Sequence, residues 1–392
     1  MLPTGPLIGS PAVPFAETEG PAPTQTVGQK SPERPEGRGR EAYVDVYRGL
    51  LIAHMALDHA SLMYNMGRGG EELARVQPHA SRDVLQFLTR FTGVPVAPGF
   101  CFMAGFMVAV TSALRGARGV SEREITRRLV VRGLVLILAD ATLGGLPRYL
   151  SGFFSFMVLS CIGTSLIALA FVRRAPSRVL LPIALAVLAL HPLIDVSWLP
   201  VPLRAVLYEP VRTGSFRSLY PIVPWCALVL LGFVVGRDAV RREKPVPLWL
   251  LLSGASLVLF FVVRLNGGYG NAYPTASVAT EAFWTFAKYP PDLPFLTWAL
   301  FAVFLALAAL HTLTKHGVPA LLRPFVIYGR VPFFFYVVHF YVLGIGRALV
   351  GRPVGLLATY GVWLLLLAVM AWPCAWYYRK KRDRPNLLTR YL

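Results

Sequence analysis

Apolar runs of roughly 18–22 residues recur along nearly the whole chain, each followed by a short polar or basic stretch. That length is what an α-helix needs to cross the hydrocarbon core of a bilayer. Inside lipid every backbone N–H and C=O must be satisfied within the segment, which leaves helices as the structure for such runs. The candidate spans are 43–64, 92–113, 129–146, 154–172, 179–196, 220–237, 247–264, 294–312, 325–346 and 354–378. The expected fold is therefore all-α, a polytopic integral membrane bundle of about ten transmembrane helices. A soluble domain is excluded by the same pattern, since 55% of residues are hydrophobic and only 15% charged.

The formal net charge is +19, but the cations do not form a nucleic-acid surface. They cluster in alternate loops: Arg34, Arg38 and Arg40 before the first span, Arg115 to Arg128 after the second, Arg173 to Arg178 after the fourth, Arg237 to Lys244 after the sixth, Lys315 and Arg323 after the eighth, and Arg379 to Arg384 at the end. This is the positive-inside pattern, and it predicts cytoplasmic N- and C-termini with an even number of spans. Residues 1–40, rich in Pro, Gly, Ser and Thr, read as a disordered tail without a signal peptide. The transmembrane domain is expected over 41–379, with a basic cytoplasmic tail over 380–392. Cys101, Cys161, Cys226 and Cys374 are scattered singly in apolar runs, so neither a disulfide framework nor a metal site is indicated.

The first span, YVDVYRGLLIAHMALDHASLMY, carries ionisable residues at both ends and in its body. Such groups are costly in a membrane and usually face a polar pocket or a pathway. Arg48 and His59 lie roughly 16 Å apart along the axis at 1.5 Å per residue, so they serve different depths. His54 and Asp58 are four apart on one face, a spacing that predicts a carboxylate-held histidine, with His59 about 100° round the helix. Toward the non-cytoplasmic side the chain also offers Asp140, Arg264 and Lys288, with His339 near mid-depth. The cytoplasmic side offers Asp45, Arg48, Arg132 and Arg330, arginines suited to an anionic group such as a phosphorylated carrier. The loops 65–91, 197–219 and 265–293 are long for connections. The last mixes Gly, Pro, Asn and aromatics and predicts an ordered lid. No Walker A, GxSxG, HExxH or GxGxxG sequence is present.

Several stretches, in order from 41 to about 390, resemble bacterial relatives of heparan-α-glucosaminide N-acetyltransferase. Asp45-x-x-Arg48-Gly49-Leu50 with Met55-Ala56-Leu57-Asp58-His59 is similar to that family's first helix, and Ala97 to Gly105 (APGFCFMAG) to its second. Arg127-Arg128 to Arg132-Gly133 resembles the basic approach to its third. Tyr220 to Trp225 (YPIVPW), leading to Gly232 and Gly236, resembles its YPxxPW segment, and Thr285 to Leu293 (TFAKYPPDL) its KYPP element. Tyr328 to Tyr336 (YGRVPFFFY) with His339 resembles its late GRVPxFFYxxH run. One departure stands out: relatives often carry a histidine just before the Ala-Pro of the second helix, where this chain reads Gly93-Val94-Pro95. If that histidine contributes, its work here is lost or falls to His59 or His79.

The resemblance implies acyl transfer across a membrane, with acetyl-CoA used from the cytoplasm and an amino or hydroxyl group of a sugar, glycan or lipid-linked sugar acetylated on the other face. It implies a bacterial inner membrane as location. Asp58, His59 and His339 are the expected catalytic groups, His59 acting as general base or as transient acetyl carrier. Asp45, Arg48, Arg132 and Arg330 are expected to hold CoA. Lys288, Asp140, Tyr220, Trp225 and Arg264 are expected on the acceptor's side, with no metal. A homodimer is compatible with the sequence. Two other readings stand beside this one. A second membrane acyltransferase type, which O-acetylates surface polysaccharides, also begins with a D-x-x-R-G helix. A proton-coupled transporter would use Asp58, His59, Asp140 and His339 as a relay.

Overall fold

A computed structural model of the chain describes residues 42–68, 81, 83–144, 154–212 and 216–383, all within one unit, Gly39–Leu392. In chain order the helices are α1 (Ala42–Tyr64), α2 (Val84–Phe91), α3 (Val96–Ala117), α4 (Glu122–Ala139), α5 (Val158–Val172), α6 (Ser177–Leu190), α7 (Val201–Leu207), α8 (Ile222–Arg241), α9 (Val246–Asn266), α10 (Leu293–Thr314), α11 (Arg323–Arg330), α12 (Pro332–Val350) and α13 (Leu356–Asp383). The 1–40 tail, His79, Arg148 and 384–392 lie outside the described residues.

Among the described residues, six helical segments are long and apolar enough to cross a membrane: α2–α3 taken together, α8, α9, α10, α12 and α13. Each of the other four expected spans also forms a helix. Here α5 and α6 are apolar but shorter, while α1 carries Asp45, Arg48 and Asp58 and α4 begins EREITRR. Burial separates an inner from an outer set. The spanning windows of α2–α3, α8 and α10 are 61%, 61% and 56% buried, and those of α9, α12 and α13 only 17% each, so the outer three present leucine, valine and tryptophan to lipid.

Although first in sequence, α1 is the helix the others surround: it packs against α3, α10, α11, α12 and α13. Elsewhere small residues let helices approach closely, as they do where lipid offers no hydrophobic drive between helices. A Cβ on Gly105 of α3 would sit 1.8 Å from the Val229 carbonyl oxygen of α8, and one on Gly232 of α8 would sit 1.9 Å from that of Phe102. Only glycine permits that backbone contact.

Three features depart from the expected bundle. The ninth span is two helices, α11 and α12, meeting at Val331 (φ −130°, ψ 46°). Pro332 lacks an N–H and pushes the residue before it out of helical geometry. A small sheet interrupts the all-α expectation: β1 (Phe154–Phe156) pairs in parallel with β3 (Phe216–Ser218), which pairs antiparallel with β2 (Val211–Arg212). The last helix runs through Asp383, past the boundary expected at 379.

The 267–292 connection is ordered by two buried charges. Arg264, at the end of α9, donates from Nε to Phe283 O at 2.8 Å, from Nη2 to Ala282 O at 2.7 Å, and from Nη1 to Asn271 Oδ1 at 2.9 Å and Tyr273 O at 3.2 Å. Asp292 caps α10 by accepting the Phe295 N–H at 2.8 Å, and its other oxygen accepts those of Ala287 and Ala272 at 3.2 and 3.4 Å. These bonds favour the carboxylate, yet burial outweighs them and raises Asp292 to about 6.

Candidate active site

The last turns of α1 bring Asp58 and His59 into two separate networks. Asp58 Oδ1 accepts from Arg68 Nη1 at 2.8 Å, and Lys288 Nζ stands 4.0 Å from Oδ2. This displaces the expected pairing with His54, because a guanidinium makes a stronger, charge-assisted bond to a carboxylate than a neutral imidazole does. His54 Nε2 is instead buried without a hydrogen-bond partner among the described residues. Lys288 also lies over the Tyr289 ring, 5.1 Å from its centroid. The Tyr289 hydroxyl is 3.2 Å from that of Tyr220, whose ring packs on Trp225. The YPxxPW and KYPP stretches thus meet beside Asp58.

His59 Nδ1 lies 2.8 Å from His339 Nε2, and His339 Nδ1 lies 3.0 Å from the Phe335 carbonyl oxygen one turn back on α12. The carbonyl can only accept, so Nδ1 of His339 carries a proton. In the neutral pair His339 Nε2 is then a lone pair, and it accepts from His59 Nδ1–H. The proton of His59 is therefore on Nδ1, leaving its Nε2 as the bare, basic nitrogen. His339 is fully buried and Phe340 packs on His59 at 4.5 Å between centroids, so the imidazoles are held firmly.

Asp58 and Lys288 also line a partly open cleft of about 460 Å³, open solvent included. Its walls include Arg90 of α2, Gly93 and Val94 before α3, and Trp284 and Phe286 of the 267–292 connection. Val94 stands where the family resemblance leads one to expect histidine. Arg90 is fixed by Glu281 at 2.6 Å, and Glu281 also accepts from Ser81 N and Oγ. Asn65 and Gln86 exchange amide hydrogen bonds of 2.8 and 3.1 Å, tying the end of α1 to α2. Arg68 and Arg90, absent from the sequence-based set, both lie in the 65–91 connection. Cations that follow an acidic helix end are a signal that could have found them.

The opposite end of α1 holds a second charged group. Asp45, 1% exposed, accepts from Arg330 Nε at 3.0 Å, with Arg48 Nη1 3.8 Å from its other oxygen. Arg330 Nη1 donates to the Tyr378 hydroxyl at 2.8 Å, and its guanidinium lies 5.1 Å from that ring's centroid. Glycines set this contact: a Cβ on Gly49 would meet Phe325 O, and one on Gly329 would meet Asp45 O, each at 1.8 Å. The separation of the two ends is that of the helix itself, roughly 20 Å from Asp45 to Asp58 at 1.5 Å per residue.

The remaining expected site residues are held elsewhere. Asp140 is buried and accepts the N–H groups of Met157 and Ser160 at 2.9 and 3.0 Å, capping α5. Arg264 orders the 267–292 connection as described, and Arg132 is exposed on α4. These three sit in scaffold or surface, away from the Asp58 cavity walls.

Residues 40–247 match the family described as heparan-alpha-glucosaminide N-acetyltransferase, catalytic. The match takes in Asp45, Arg48, Asp58, His59 and Tyr220 to Trp225, whereas Lys288, Arg330 and His339 lie beyond it. No curated protein matches the chain. With more than half of its length matched, the chain belongs to the heparan-α-glucosaminide N-acetyltransferase catalytic family, a family of membrane acetyltransferases.

Proposed function

We propose that the protein transfers an acetyl group from cytoplasmic acetyl-CoA to an amino or hydroxyl group of a sugar, glycan or lipid-linked sugar on the far side of a bacterial inner membrane. The observation that carries this reading is the Phe335–His339–His59 chain, which leaves a bare His59 nitrogen next in sequence to the cavity-lining Asp58. In this reading the protein spans the membrane ten times with both termini in the cytoplasm. Arg48 and Arg330, gathered around Asp45, take the CoA phosphates from that side. The acceptor lies in the cavity of Asp58, Lys288 and the aromatic walls.

The chemistry needs one proton moved and one oxyanion steadied. The acceptor's nitrogen or oxygen attacks the thioester carbonyl and its proton passes to His59 Nε2. The tetrahedral oxyanion forms within reach of the Lys288 ammonium. Collapse breaks the C–S bond and the leaving thiolate takes the proton, giving the acetylated acceptor and CoA. In the two-step variant His59 Nε2 itself attacks the thioester, the C–S bond breaks and CoA leaves as the thiolate; the acetylimidazolium then gives its acetyl group to the acceptor, whose proton passes to the thiolate.

The test is transfer of radiolabelled acetyl from acetyl-CoA to glucosamine by purified protein in detergent. His59→Ala is expected to lower kcat by at least about 100-fold, as loss of a positioned base or nucleophile does. Full activity in His59→Ala would overturn the assignment. Acid-quenched wild type carrying label on His59 selects the two-step route, and its absence at steady state selects the direct one.

A further inference from the structure

We propose that His54 is a further substrate-contacting residue, its Nε2 hydrogen-bonding a hydroxyl of the acceptor that enters beside Gly93. The inference deepens the acetyltransferase reading and rests on it.

Three observations converge on this nitrogen. His54 Nε2 is enclosed by protein and has no hydrogen-bond partner among the described residues, a costly arrangement unless something else supplies the bond. Asp58 lies one helical turn further along the same face of α1 and lines the cavity. Gly93 lines that cavity too, and a Cβ built on it would come within 3.8 Å of His54 Nε2. With no side chain at Gly93, the backbone of that residue alone stands between the imidazole and the cavity.

The catalytic chain does not account for this residue. His59 is turned toward His339, about 100° round the helix from the Asp58 face, and Asp58 is engaged by Arg68 and Lys288. A hydroxyl suits His54 in either tautomer, since it donates to a lone pair and accepts from an N–H. An acceptor seated against Asp58 with a neighbouring hydroxyl on His54 would be held at two points one turn apart on one face of α1. That geometry favours a polyhydroxylated ring over a simple amine.

The competing occupant is an ordered water, which would satisfy the nitrogen with no substrate involved. Steady-state kinetics on the full-length protein in detergent separate the two, with glucosamine and radiolabelled acetyl-CoA each varied in turn. His54→Leu is expected to raise the KM for glucosamine about tenfold, the loss of one hydrogen bond, with the KM for acetyl-CoA unchanged. His54→Gln, which returns a polar atom to the same place, is expected to recover most of that. Gly93→Ala is expected to reproduce the rise with His54 intact; its backbone is not left-handed, and the closest new contact is 3.1 Å to Arg90 O. An unchanged glucosamine KM in His54→Leu and Gly93→Ala overturns the proposal. So does an equal rise in both KM values with a lowered Tm, the signature of a lost structural water.

Should His54→Leu fail to fold, Gly93→Ala and His54→Gln decide the matter. A wild type that transfers no acetyl group defeats the acetyltransferase reading separately. His54 is then judged by calorimetric titration of glucosamine alone, where a tenfold weaker Kd in Gly93→Ala supports it, and equal or absent binding overturns it.

Discussion

At the scale of single residues, the proposed chemistry turns on which nitrogen of His59 is bare, and in that proposal His339 decides it from a fully buried position. Its role is positioning: Phe335 O fixes its tautomer, and its Nε2 fixes that of His59. His339→Leu removes the acceptor for His59 Nδ1–H, so the two tautomers of His59 compete and the ring loses its anchor. We expect kcat to fall about 100-fold with little change in either KM, the low end of what a positioned base contributes. His339→Gln offers an amide oxygen to the same N–H and should recover at least about tenfold of that loss. Equal impairment of both variants, measured as kcat against acetyl-CoA and glucosamine, would show that His339 only fills space. Much of this was legible in the sequence, because Asp58, His59 and His339 interrupt apolar runs where charge is expensive. The partners were not. Four-residue spacing pointed to a His54–Asp58 pair, but spacing along a helix says nothing of a guanidinium arriving from Arg68 or an ammonium from Lys288. Asp140 read as functional for the same reason as Asp58, and only its distant partners, the N–H groups of Met157 and Ser160, reveal a helix cap.

At the scale of elements, the 267–292 connection shows how a polar loop becomes a rigid wall. Its aromatic and proline content suggested order, and the means are Arg264 reaching back into it and Asp292 gathering three backbone N–H groups across it. Neither partner set could be read from sequence, since backbone donors and acceptors carry no residue signature. Asp292 makes the wall's stability depend on pH. Its folded-state value is raised to about 6 by burial, from an unfolded value near 3.8, so the folded state binds the proton more tightly. The contribution is fully present below about 4 and is lost as pH rises through about 6. Asp292→Asn does not titrate and serves as the reference. In thermal unfolding in detergent, the Tm advantage of wild type over Asp292→Asn is expected to be largest near pH 4.5 and to shrink toward pH 7.5. An advantage that grows with pH would mean that the three N–H donors outweigh burial and hold the carboxylate charged.

At the scale of the whole molecule, one helix carries both charged ends of the site, and the rest of the bundle is arranged round it. Run length alone made the helices legible, and six helical segments among the described residues are long and apolar enough to cross a membrane. It did not separate the inner α3, α8 and α10 from the lipid-facing α9, α12 and α13, because all are apolar throughout. Burial of α1, polar for a span, was legible only as a puzzle: its charges are tolerated because other helices shield them. The break at Pro332 places Arg330 against Asp45 at one end of α1, while α12 brings His339 to His59 near the other. The same two-helix segment therefore serves both groups. If Arg48 and Arg330 take CoA phosphates on the side of the basic loops, donor and acceptor must enter from opposite faces. Proteoliposomes test this directly, with vesicles sorted by whether an N-terminal tag is accessible from outside. Where the tag is outside, external acetyl-CoA is expected to acetylate glucosamine trapped in the lumen, and glucosamine supplied outside with it should react at under about a tenth of that rate. The tenfold margin corresponds to roughly 1.4 kcal/mol of preference for one face, far less than a sealed acceptor path would impose. Equal rates from either face would place both substrates on one side of the membrane and dissolve the division of labour along α1.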